Sequence, residues 1–84
     1  MNTYQAVPQG VCARQLQFSL EDGKVHDVSF YGGCNGNLKA ISKLIEGMPA
    51  EDVIRILKGN DCAGRGTSCA DQLAIALEEA LEYE

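Results

Sequence analysis

Apolar and polar residues alternate along two stretches in the first third of the chain. Between Val11 and Leu20, the side chains of Leu16, Phe18 and Leu20 fall on one side and those of Gln15, Gln17 and Ser19 on the other. This period of two belongs to a half-buried strand. Val25 to Tyr31 repeats it, with Val28 and Phe30 turned to the core. Glu21-Asp22-Gly23-Lys24 lies between, and its Asp-Gly pair is typical of a two-residue hairpin turn. Partners then lie symmetrically about Asp22-Gly23, so position 12 is expected opposite position 33. Cys12 and Cys34 should reach the same open end of the hairpin, within about one residue of register. Residues 2 to 8 read as a short edge strand ending at Pro8.

After Tyr31 the period changes. Gly32 to Asn37 reads as a turn from strand into helix. The helix is expected from Asn37 or Leu38 to Ile45, with Leu38, Ile41, Leu44 and Ile45 as its buried stripe and Gly47 as its stop. Pro49 suits the first residue of a second helix reaching about Leu57, with Val53, Ile54 and Leu57 buried and Gly59 ending it. A third helix follows Ser68, whose hydroxyl is a good N-cap; Asp71, three places on, completes an S-x-x-D capping pattern. Leu73, Ala74, Ala76, Leu77, Ala80 and Leu81 form its apolar face, and Glu78, Glu79 and Glu82 are left for water. Hairpin first and helices after predict an α+β fold. A small antiparallel sheet, with the N-terminal segment as a possible edge strand, carries about three helices on one face. No repeat or linker divides residues 1–84, so one domain is expected.

Charge and length narrow the function. Seven basic against twelve acidic residues give a net charge of −5, which disfavours direct nucleic-acid binding. No apolar run approaches the roughly 20 residues of a membrane span. The opening Met1-Asn2-Thr3-Tyr4-Gln5 has neither the basic start nor the apolar core of a signal peptide. A cytoplasmic location is therefore expected, with the four cysteines reduced.

Those cysteines are the candidate chemistry. Cys12, Cys34, Cys62 and Cys69 are separated by 21, 27 and 6 residues, without a CxxC knuckle. Their surroundings say more than their spacing. Gly10 precedes Cys12 by two, Gly33 and Gly36 flank Cys34, and Gly64 follows Cys62 by two; glycine lets backbone approach a ligand closely. Cys34 and Cys69 both fall at expected helix N-termini, where unpaired N–H groups and the helix dipole favour thiolate. Four converging thiolates make a closed tetrahedral site for zinc, or for an iron–sulfur centre. Alternatively Cys62 and Cys69 cycle as a redox dithiol, since the short glycine-bearing loop between them closes at little entropic cost. The plainest reading is four small buried thiols. Gly32 to Asn37 lacks both the P-loop Lys-Ser pair and G-x-G-x-x-G spacing, His26 reads as packing or surface, and no serine–histidine–carboxylate set stands out.

Thr67-Ser68-Cys69-Ala70-Asp71-Gln72-Leu73-Ala74 resembles the signature of the TSCPD domain, found at the C-terminus of adenosylcobalamin-dependent ribonucleotide reductases and as a short free-standing protein. The resemblance extends through Gly32-Gly33-Cys34-Asn35-Gly36-Asn37-Leu38, Glu46-Gly47-Met48 and Cys12. Ala70 stands where the eponymous proline would be, and alanine is harmless in a first helical turn. The resemblance implies a metal-binding accessory module of a ribonucleotide reductase, acting with that enzyme or another protein in deoxyribonucleotide synthesis. Eighty-four residues are too few for the reductase's radical-bearing barrel. The order of elements and cysteines also looks like that of NifU-type iron–sulfur scaffolds, in which Cys12, Cys34 and Cys69 match ligand positions. Arg14 replaces the scaffold's aspartate and Cys62 is an added thiol, so this likeness implies fold, with an iron–sulfur carrier as the alternative activity.

Overall fold

The computed structural model describes residues 2–8, 10, 13–32, 35–60 and 67–83. Three strands come first: β1 (Asn2–Ala6), β2 (Gln15–Glu21) and β3 (Lys24–Tyr31). They form one antiparallel meander in the order β1-β2-β3. Three helices follow: α1 (Asn35–Ile45), α2 (Ala50–Leu57) and α3 (Cys69–Leu81). The α+β expectation holds, N-terminal edge strand included.

The hairpin turn forms where Asp-Gly placed it. Asp22 and Gly23 both take positive φ, +53° and +74°, as a type I′ turn requires. Near the turn, Leu20 pairs with Val25 and Ser19 with His26, symmetrically about Asp22-Gly23. Farther out the register shifts by one: Gln17 pairs with Ser29, Leu16 with Phe30 and Gln15 with Tyr31. Phe18 thus faces two residues, Asp27 and Val28, across a β-bulge in which Asp27 takes a φ of +53°. The apolar pattern explains the bulge. Val25, Val28 and Phe30 cannot share one face at period two, and an inserted residue puts all three on the core side. This corrects the uniform register expected from the turn alone.

Glu46, just past the end of α1, braces the bulge. Its carboxylate accepts the Asp27 amide at 2.8 Å and lies 2.7 Å from His26 Nδ1. The Asp27 amide first, and then the His26 ring, hold the Glu46 carboxyl below its ordinary range. A lowered pKa means that the brace is complete above that range and fails as pH falls through the folded value. Glu46→Ala is expected to speed hydrogen exchange at the Asp27 amide with little change elsewhere in β3. An unchanged exchange rate there would show that the bulge holds itself.

Behind Glu46, Gly47 turns the chain at φ +79°. The connector then runs along the start of β3: Gly47 N–H donates to Val25 O at 2.7 Å, Val25 N–H to Met48 O at 2.9 Å and Ala50 N–H to Gly23 O at 2.8 Å. Pro49 is bridged to Lys24 and keeps an extended ψ of 132°, so it is the N-cap of α2 and not its first helical residue. Its carbonyl accepts the Asp52 and Val53 amides. Gly59 ends the second helix at φ +86°. The first helix begins at Asn35, two or three residues earlier than expected, taking Gly36 into its first turn.

One core lies between sheet and helices. Leu16, Phe18, Leu20, Val25 and Val28 from the sheet meet Ile45, Val53, Leu73, Leu77 and Ala80 from the helices. Tyr4 stacks on its cross-strand partner Phe18 with ring centroids 5.6 Å apart. The outer face of the sheet is a polar ladder: Thr3 with Ser19, Gln5 with Gln17, and Gln15 with Gln5. Leu44, expected in the buried stripe, is 77% exposed. Leu38, Ile41 and Ile45 already cover the core side of α1, and Leu44 points beyond its edge. Among the described residues, no helix is long and apolar enough to cross a membrane.

Candidate functional site

Ser68 caps α3 as its side chain predicts: its hydroxyl accepts the Asp71 amide at 3.0 Å. The reciprocal half of the capping box does not form. Asp71 turns its carboxylate away from the Ser68 amide and onto the preceding loop. One oxygen accepts the Gly59 amide at 2.6 Å and the other the Thr67 hydroxyl at 2.5 Å. Gln72 donates from Nε2 to Thr67 Oγ1 at 3.0 Å, and Asn60 donates from Nδ2 to Ser68 Oγ at 3.2 Å. Both stems of the α2–α3 loop are therefore tied to the first turn of α3. Asp71 is 6% exposed, a degree of burial that a carboxylate tolerates only when well bonded.

The sequence reading missed this network because S-x-x-D has two uses. The same spacing lets an aspartate reach back to its own cap or outward to a neighbouring loop, and Gly59 at positive φ turns an amide toward it. The Thr67 hydroxyl, and after it the Gly59 amide, lower the Asp71 pKa from its ordinary value. The resulting stability is present above the ordinary carboxylate range and is lost as pH falls through the lowered folded value. Asp71→Asn is expected to cost about 1.5–3 kcal/mol, the usual worth of hydrogen bonds to a charged group. It should also flatten the acid limb of a stability-against-pH curve from urea titrations. A variant with the wild-type acid limb would remove Asp71 from this role.

Cys69 is the first residue of α3 and is half-buried. Cys12, Cys34 and Cys62 lie outside the described residues, as does the expected pairing of positions 12 and 33. Their described neighbours are informative. Gly10, two before Cys12, lies beside Thr67, two before Cys69: a Cβ built on Gly10 would sit 3.4 Å from Thr67 Cγ2. Gly10 also takes a φ of +71°, so a side chain there would be strained. At the open end of the hairpin, Arg14 N–H donates to Tyr31 O at 2.7 Å, bringing the stem before β2 beside the end of β3. Asn60, two before Cys62, bonds the cap of α3. Among the described residues, no three His, Cys, Asp or Glu side chains gather as metal ligands. His26 is taken up by Glu46 on the bulge.

The model of the TSCPD domain matches residues 1–81. The chain belongs to the TSCPD-domain family. That domain is linked to the C-terminal regions of ribonucleotide reductases. Neither the curated proteins nor the solved structures searched contain a match to the chain. Within the TSCPD signature of this chain, Thr67, Ser68, Asp71 and Gln72 are engaged with one another and with the α2–α3 loop, and Glu46-Gly47 builds the bulge brace and the turn behind it. Ala70, in the place of the signature's proline, is buried in the first turn of α3.

Proposed function

We propose that this TSCPD domain binds one metal ion through Cys12, Cys34, Cys62 and Cys69 and serves as an accessory module of ribonucleotide reduction in the cytoplasm. One observation carries the reading: described flanks of the Cys12 and Cys62 segments meet the N-terminus of α3, Gly10 against Thr67 and Asn60 on Ser68, where Cys69 stands. The hairpin supports the fourth position. The Arg14 N–H bond to Tyr31 O at its open end brings the stem that follows Cys12 beside the strand end that precedes Cys34.

Zinc suits four thiolates and needs no redox change. Bound there, it would act as a structural clip in a chain with a modest core. The ionised Asp71 shares the first helical turn with Cys69, and its negative charge opposes a bare thiolate there; a divalent cation removes that opposition. This favours the metal over the Cys62–Cys69 redox dithiol.

Metal analysis of protein purified without oxygen tests the proposal. About one zinc per chain, with all four thiols protected from alkylation until metal is removed, is the expected result. Iron with matching sulfide and visible absorbance would assign an iron–sulfur carrier instead. Metal-free protein in which only Cys62 and Cys69 oxidise reversibly, with Cys62→Ser trapping a mixed disulfide, would assign the thiol exchanger.

A further inference from the structure

Lys39 and Lys43 stand one turn apart on α1, and among the described residues neither has an ion-pair partner. The other helices carry acidic residues, Glu51 and Asp52 in α2 and Asp71, Glu78 and Glu79 in α3; α1 carries none. In a chain of net charge −5 this helix is a local exception. Both lysines border one cleft between α1 and β3, together with Val28, Phe30 and Leu38. Val28 and Leu38 are buried, so the cleft has an apolar floor and a cationic wall. No acidic residue lines it. Asp27 and Glu46 come in only where it runs on toward the bulge, and Glu46 is already bonded there to His26 and the Asp27 amide.

The backbone indicates the shape of the occupant. β3 is an edge strand, with β2 on one side. On its other side residues 47–49 run antiparallel to Lys24 and Val25, as a short first piece of a fourth strand. Upstream of Glu46 the chain is already α1, and no described strand continues that line beside residues 28–30. Those residues and α1 form the two walls of the cleft. An open edge takes up an extended chain by main-chain bonding, while the surface beside it selects side chains. The charge indicates which chain. The edge strands of a second copy do not answer the lysines: β1 has no charged residue, and β3 would arrive with its own α1 and the same two cations. A segment bearing carboxylates meets both lysines with opposite charge.

We propose that this cleft takes an extended acidic segment of a partner protein as an added strand, its backbone on β3 and its carboxylates on Lys39 and Lys43. No cysteine segment and no residue of the α3 cap lines the cleft, so the test is independent of metal. The probe is the peptide acetyl-Val-Glu-Val-Glu-Val-Glu-amide, titrated into the isotopically labelled full chain, as purified, and followed by amide NMR shifts. Saturable shifts at residues 28–30 and along α1 are expected at up to millimolar peptide, with slowed amide exchange in β3. Lys39→Glu and Lys43→Glu should each weaken binding by about tenfold or more. Their melting temperatures should stay near wild type, since both side chains are exposed. N-methylation blocks one edge of a strand, so of two probes, methylated at the valines or at the glutamates, only one should lose binding. No saturable shift, or equal binding of a probe with lysine in place of glutamate, would overturn the proposal. Equal binding of both methylated probes, or the same shifts with free glutamate, would overturn the added strand and leave an anion contact only. Self-association of the chain that Lys39→Glu abolishes would overturn the partner and assign the cleft to a second copy.

Discussion

Stripping the proposed metal with a chelator is expected to unfold this chain and not merely to soften it. Structural zinc in small domains supplies ~10–16 kcal/mol of apparent binding energy, as much as the whole net stability of a typical domain, about 5–15 kcal/mol. The described residues make the dependence concrete. The loops around the N-terminus of α3 are joined by a handful of polar bonds, with Gly10 set beside Thr67, and the buried apolar cluster is formed by the sheet and helices. Loss of the clip should release these loops first and then the helix they cap. Cys69→Ser should reproduce the effect without a chelator, because a serine hydroxyl is a poor replacement for a thiolate ligand. The check is thermal melting alongside measured metal content. An unchanged melting temperature after verified metal loss would reduce the four cysteines to small thiols.

Phe18→Ala should come close to unfolding the domain by a different route. Phe18 is 1% exposed, stacks on Tyr4 and faces the bulge that brings Val28 onto the core side. Truncating a buried phenylalanine costs about 3–5 kcal/mol through lost transfer energy and the cavity left behind. For a domain of this size that corresponds to a fall in melting temperature of roughly 15–30 °C. Phe18→Leu should cost less, because most of the volume is kept. A loss below about 1 kcal/mol for the alanine variant, well short of the usual range, would mean that the strands and α3 close over the gap.

The fold was legible wherever a local rule had one solution. Asp22-Gly23 could make only a tight hairpin turn of this kind, and Gly47 and Gly59 stop their helices at positive φ. The rule failed where two elements had to agree. Nothing local to Asp27 announces a bulge; it follows from seating Val25, Val28 and Phe30 together on one face. Leu44 fits the helical period of its own segment, but it lies on the rim of the groove between α1 and α2, where no described residue covers it. Asp71 could satisfy its own helix or the loop before it, and only the fold brings the Gly59 amide within reach. Of the candidate site, Cys69 at the mouth of a helix was legible from Ser68 and the apolar period behind it. The convergence of Gly10 on Thr67 was not, since it joins segments more than fifty residues apart and no pattern in either one names the other.

The clamp around Asp71 also bears on inheritance. Thr67, Ser68, Asp71 and Gln72 satisfy one another and hold the loop, so selection for folding alone would keep those letters. A descendant that lost every thiol would still be recognised by them. In a newly met relative, the threonine, serine and aspartate of the signature therefore testify to a shared loop–helix joint. Its cysteines alone testify to shared chemistry, and the two can part company over evolutionary time.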